Sequence, residues 1–335
     1  MSEQTLGAER RGFLMPSPLP LRVWTLMALL LAALFANLCL GAVDLSLTQV
    51  WQGLSAGGEQ YFTVHEYRLP RIALAIGVGA MLATAGVLVQ GVIRNPLASP
   101  DILGVSHGAG LAAVSLMTLW PHVSVQLLPW AALAGGLLAA ALLWLVCGSK
   151  AVPVKLALTG VALAALYSST TDFLLLTRPL DINNALLWLT GSLWGRGWQQ
   201  LYTLLPWLLL LPAAMWLSHR LNLMALGDDS ATCLGIRVPR VRLLALALAV
   251  GLTSAAVSLC GPISFLGLVS PHLARQLVGG RHQRLLPVAM LVGAVLLLLA
   301  DLAARIIHPP VELPAGIMAA LIGAPYFLWL LLKLR

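Results

Sequence analysis

Apolar runs about as long as a bilayer is thick recur along the whole chain, with polar residues confined to the short gaps between them. Ten such runs lie at about 21–43, 72–93, 104–119, 127–147, 154–176, 200–217, 242–260, 263–278, 286–304 and 313–333. A helix rises about 1.5 Å per residue, so roughly 20 apolar residues cross a ~30 Å hydrocarbon core. Several runs are at or under that length. They predict broken or re-entrant helices whose irregular backbone is shielded by neighbouring helices. The pattern therefore predicts an all-α, polytopic membrane protein: a single transmembrane domain over 21–335 with about ten helices, preceded by an extension over 1–20. The first run follows Arg10 and Arg11 but is too long for a signal-peptide core, and reads as a retained first span.

Composition sharpens this. The chain is 59% hydrophobic and 10% charged, where an average soluble domain carries about 25% charged residues. The net charge of +8 is not a nucleic-acid footprint, because the basic residues sit in short loops between apolar runs. With the N-terminus inside, the inner segments hold 15 of the 20 Lys and Arg residues. The outer ones hold Arg68, Arg71, Arg178, Arg196 and Arg305. This bias places both termini in the cytoplasm. Cys39, Cys147, Cys233 and Cys260 are scattered without metal-ligand spacing, and read as small buried hydrophobes. Trp24, Trp51, Trp120, Trp130, Trp188, Trp194, Trp198 and Trp207 fall near span ends or in outer loops, as interfacial anchors do.

Two stretches echo each other half a chain apart. Asn95–Pro96 leads into Leu103–Gly104–Val105–Ser106, and Gly261–Pro262 leads into Leu266–Gly267–Leu268–Val269–Ser270. Gly/Pro-interrupted segments in corresponding positions are what a duplicated transporter shows.

Candidate chemistry is sparse. There is no HExxH, GxSxG or Walker A motif, and the intramembrane acids recognised are Asp172 and Asp301. An ion-coupled carrier or a membrane-embedded enzyme needs more than this. A pore without its own energy source is passive or borrows one. The segment over about 223–242 looks like a structured cytoplasmic element, with Asp228 as helix N-cap, Asp229 and Ser230 in the first turn, and Gly235 at the C′ position. Outside, Arg68–Leu69–Pro70–Arg71 and Arg305 read either as snorkelling residues or as exposed cations for an acidic partner.

At these residues the chain resembles the iron-chelate and cobalamin permeases of binding-protein-dependent ABC importers. The likeness runs from about residue 60 to the end. It rests on Arg68–Leu69–Pro70–Arg71, Arg94–Asn95–Pro96–Leu97–Ala98, Leu158–Thr159–Gly160, Gly261–Pro262–Ile263–Ser264–Phe265–Leu266–Gly267 and Gly323–Ala324–Pro325. Asn184–Gly195, Gly280–Pro287 and Ile306–Pro310 are most similar to the ferric dicitrate branch, and to its second permease subunit.

The resemblance implies a type II importer permease fold in the bacterial inner membrane. It implies a second permease subunit (a related chain, or else a second copy), two cytoplasmic ATPase subunits and a periplasmic binding protein. This chain would hold no cofactor or metal, ATP and Mg binding to the ATPase. Carried over by position, Arg68, Arg71 and Arg305 would meet acidic residues of the binding protein. Leu226, Gly227, Asp228, Asp229, Ser230, Ala231, Thr232, Leu234 and Gly235 would form the ATPase coupling helix. Gly160, Ser168, Ser169, Thr170 and Thr171 would line the pathway. Arg178 and Arg196 near the outer mouth would attract an anionic chelate. The alternatives are the same machine carrying haem, another siderophore or cobalamin, or an ion-coupled secondary transporter.

Overall fold

A computed structural model describes residues 21–55, 57–120, 122–148, 152–177, 182–309 and 311–333; the N-terminal extension lies outside them. Among the described residues there are helices and no strands. In order they are α1 (Leu21–Cys39), α2 (Leu47–Leu54), α3 (Leu69–Ile93), α4 (Val105–Leu119), α5 (Leu128–Cys147), α6 (Pro153–Thr177), α7 (Ile182–Leu189), α8 (Trp198–Leu208), α9 (Leu210–Met224), α10 (Asp228–Cys233), α11 (Val238–Cys260), α12 (Leu266–Val278), α13 (His282–Ile306) and α14 (Ala315–Lys333).

Seven helical stretches are long and apolar enough to cross a membrane, α8 and α9 counting as one. The shorter α4, α12 and α14 complete the ten runs of the sequence. The helices α2, α7 and α10 are too short to span.

The two echo segments are the irregular lead-ins to the two shortest spans. Arg94–Gly104 precedes α4, and Gly261–Phe265 precedes α12. At 15 and 13 residues, these helices rise only about 20 Å. Their lead-ins pass through the protein, with Pro100, Leu103 and Ile263 buried, so polar backbone is kept from lipid. The packing repeats as well: α4 lies on α5 and α11, as α12 lies on α13 and α3.

The centre of the bundle is α3. It is apolar on every side, the signature of a helix with no lipid-facing or water-facing surface, and it is buried almost throughout. Small residues allow this. A Cβ on Gly86 would stand 1.9 Å from the Gly267 carbonyl oxygen of α12, and one on Gly79 would stand 2.4 Å from that of Gly293 in α13. Such backbone contacts are how helices associate where lipid supplies no hydrophobic drive. The tryptophans divide. Trp24, Trp51, Trp120, Trp130 and Trp194 are exposed as anchors should be, whereas Trp188 is buried against Ala109 and Val257.

Candidate functional site

Three groups of polar residues interrupt this apolar bundle. The first lies where the C-terminal ends of α1 and α13 meet the N-terminal end of α3. A π-helical segment over Phe62–Arg68 runs directly into α3, and Pro70 in the first turn of α3 immediately precedes Arg71. Arg71 grips Asp301 through Nε at 3.0 and 3.1 Å and Nη2 at 2.8 Å. Its Nη1 donates to Glu312 at 2.6 Å and to the Tyr67 hydroxyl at 2.9 Å, and Tyr67 donates to Glu312 at 3.0 Å. Arg305, one turn beyond Asp301, pairs with it at 3.4 Å and donates to the side chain of Asn37. Arg68 donates to the carbonyls of Leu38 and Val43.

The expectation of exposed cations is corrected here. Arg68, Arg71 and Arg305 are 3%, 2% and 2% exposed, because a bare guanidinium beside apolar helices is held only where partners replace its water. Asp301 and Glu312 pair with Arg71 and Arg305, and the charge of Asp44 acts on Arg68, so the three cations have three carboxylates near them. Gly41 roofs it, with its Cβ position 3.2 Å from Arg68 Nη2 and 3.4 Å from Arg305 Nη1.

The second group lines a cavity of about 430 Å³ between α4, α6, α14 and the two irregular lead-ins. Its polar wall includes Asp101, Ser106, His107, Ser168, Thr171, Asp172, Thr190 and Ser264. Ser106 donates to Asp101 at 2.7 Å, while His107 Nδ1 has no hydrogen-bond partner among the described residues. Of the residues expected along the pathway, Ser168 and Thr171 reach this wall. Ser169 and Thr170 do not line it, and the Thr170 hydroxyl returns to the Leu166 carbonyl at 2.8 Å. Gly160 is a packing residue: its Cβ position is 2.1 Å from the Ile102 carbonyl oxygen, so it admits the lead-in to α6. Arg196 is half-buried in the loop before α8, away from the cavity wall. Arg178 lies outside the described residues.

The third group is at the opposite end of the bundle, around α10. The helix α10 is capped by Gly227 at φ 111°, a region glycine reaches without strain, and Gly235 follows it at φ 81°. The C′ expectation matches the geometry. The N-cap expectation does not, because Asp228 turns away from the helix end to bind arginines. Arg242 of α11 donates to its two oxygens at 3.2 and 3.0 Å, and Arg94 at the end of α3 donates to Oδ1. Burial would raise the Asp228 carboxyl, but Arg242 and then Arg94 outweigh it and hold it below the usual carboxylate range. The contact is thus complete at neutral pH and is lost only as pH falls through that lowered value. Ala231 faces inward, fully buried, while Leu226 and Leu234 are 62% and 58% exposed with Asp229 and Ser230 beside them.

Sequence reasoning missed Asn37, Tyr67 and Glu312 in the arginine cluster, Asp101, His107, Thr190 and Ser264 in the cavity, and Arg94 and Arg242 as partners of Asp228. The Asp301–Arg305 and Tyr67–Arg71 spacings, four residues each, carried a local signal.

Ten apolar helical runs, with α3 buried at their centre, a polar cavity among them and an ion cluster at each end define a multi-pass membrane permease. The chain belongs to the FecCD transport family, whose pattern it matches over residues 29–333. It is 57% identical to the Fe(3+) dicitrate transport system permease protein FecD of Escherichia coli (strain K12), over 85% of this chain and 89% of that one. It is 49% identical to the Fe(3+)-citrate import system permease protein YfmE of Bacillus subtilis (strain 168), over 81% and 82%. A solved metal-chelate type ABC transporter in an inward-facing conformation superposes with a TM-score of 0.85 at 34% identity, covering 94% of this chain and 99% of that one.

Proposed function

We propose that this chain is a transmembrane permease subunit of a binding-protein-dependent ABC importer in the bacterial cytoplasmic membrane, and that its cargo is ferric dicitrate. The observation that carries the reading is the 57% identity to FecD across 85% of the chain. The chain has no enzymatic activity of its own. Energy comes from ATP and Mg bound by two copies of a separate ATPase.

The site supports this division of labour. The exposed Leu226 and Leu234 flank α10 on the cytoplasmic side, where a protein surface rather than lipid must cover them. They fit a groove on the ATPase, with Asp229, Ser230 and Thr232 at the rim. Outside, Arg68, Arg71 and Arg305 favour a binding protein with acidic docking residues, reached by displacement of the Leu40–Asp44 loop that Arg68 holds. Both termini are cytoplasmic.

Between these ends, Ser168, Ser169 and Asp172 stand on an exposed face of α6. An ionisable group on such a face belongs against a water-filled path rather than hydrocarbon. A second, related permease would close that path, making a heterodimer; two copies of this chain would do so in the homodimeric alternative. The carboxylates of Asp101 and Asp172 leave an anionic chelate weakly held there, which suits passage over storage. Arg196 would offset them nearer the mouth.

Relatives named for an iron(3+)-hydroxamate and for cobalamin keep another siderophore, haem or cobalamin as the second reading. Uptake of radiolabelled iron in cells with and without this chain separates them, the partner subunits being present in both. Loss of ferric dicitrate uptake alone is expected; loss of haem uptake instead would replace the cargo.

A further inference from the structure

The cytoplasmic ion cluster joins three elements that the coupling reading treats separately. Asp228 opens α10, Arg94 ends α3, and Arg242 lies near the start of α11. One carboxylate, 43% exposed, therefore ties the coupling segment to two helices of the bundle. Charge-assisted bonds to guanidinium groups are among the stronger polar contacts available at a surface.

Arg94 also holds an unfavourable backbone. Its φ and ψ are 54° and 37°, the left-handed region that side chains other than glycine rarely adopt. A glycine would end α3 there without strain but would remove the guanidinium that meets Asp228.

Behind Arg94, α3 runs for 25 residues, about 37 Å. It cannot slide past its neighbours, because Gly86 and Gly79 set its backbone against the backbones of α12 and α13. Its far end carries Arg71, locked to Asp301 and Glu312 beside Arg305. A displacement applied at Asp228 is therefore taken up by α3 along its whole length. Packed elements of this kind shift as bodies rather than deform.

We infer that Asp228, Arg94 and Arg242 form a clasp that makes α10 move with α3 and α11 as one body, so that the coupling segment's displacement reaches the outer charge cluster through α3. The three are positioning residues, acting through the helices they join. The inference rests on the reading of Leu226–Gly235 as the ATPase contact.

The test uses the whole importer in liposomes, and reads ferric dicitrate transported per ATP hydrolysed and the stimulation of hydrolysis by loaded binding protein. Asp228→Arg and Arg94→Asp are each expected to lower that ratio about tenfold, within the range of ordinary coupling energies. The double exchange is expected to recover most of it. Where a charge reversal fails to assemble, the milder Arg94→Gln decides, with the same direction of loss.

A second arm joins Arg94→Cys to Asp228→Cys by oxidation with a copper–phenanthroline oxidant, in a Cys233→Ser background because the exposed Cys233 thiol of α10 would compete for the disulfide. A clasp that moves as a unit restores coupling when closed covalently. Coupling unchanged in the single variants, no recovery in the exchange, or transport abolished on oxidation and regained with reductant would each overturn the clasp. Leu226→Asp with Leu234→Asp serves as the control for the reading beneath it. If the ATPase stays bound and coupled in that variant, the coupling reading fails. If the ATPase is lost there while the Arg94 variants behave as wild type, the clasp alone fails.

Discussion

Replacing Asp301 by alanine is expected to cost about 3–5 kcal/mol of stability, the penalty of leaving a buried cation without its partner. Asp301 is 1% exposed and serves both Arg71 and Arg305. Its removal leaves Arg305 with the uncharged Asn37 and Arg71 with Glu312 as its one carboxylate beside the Tyr67 hydroxyl. The loss should appear as a sharply lower unfolding midpoint of the purified protein in detergent or nanodiscs. Glu312→Gln is the comparison. Glu312 is 9% exposed at the rim, so water takes over part of its role and the cost should be clearly smaller. A stability for Asp301→Ala within about 1 kcal/mol of wild type would show that the cluster does not hold the ends of α1, α3 and α13 together.

The second large effect concerns the axial helix. Gly86→Ala places a methyl group 1.9 Å from a backbone oxygen of α12, and backbone on both sides leaves no side chain to rotate away. Overpacking in a well-filled core costs about 1–3 kcal/mol even where side chains relax, so this substitution should meet or exceed the upper end. Gly280→Ala, in a loop with no atom within 4 Å of the new methyl, should stay within about 0.5 kcal/mol. Matching thermal midpoints for the two variants would contradict the close α3–α12 contact.

The spans were legible in the sequence because lipid demands apolar length, which a single chain displays without knowledge of its neighbours. Even the two shortened spans and their Gly/Pro lead-ins could be read, since Gly104 marks where α4 begins and Gly261 where α11 ends. Burial of the arginines could not. Arg71 and Asp301 are 230 positions apart, and an arginine at a span end reads the same whether it meets water or a hidden carboxylate. Asp228 misled for a related reason. An acid at a helix start suggests a cap, but Arg94 and Arg242 lie far enough away in sequence to give no local sign. The cavity was nearly invisible, because Asp101, His107, Asp172, Thr190 and Ser264 come from separate segments, each a single polar residue in an apolar setting. Gly160 shows the converse: it sits on the helix expected to line the path, but its small size serves a neighbour's backbone.

The most direct measurement of the central claim is uptake of ferric dicitrate into liposomes holding the purified permease pair and its ATPase. Loaded binding protein is supplied outside and ATP inside. Uptake that requires both ATP and the binding protein, and that ignores an imposed proton or sodium gradient, is the expected result. Uptake driven by such a gradient through the permease without the ATPase would contradict it, and would make this chain a secondary transporter.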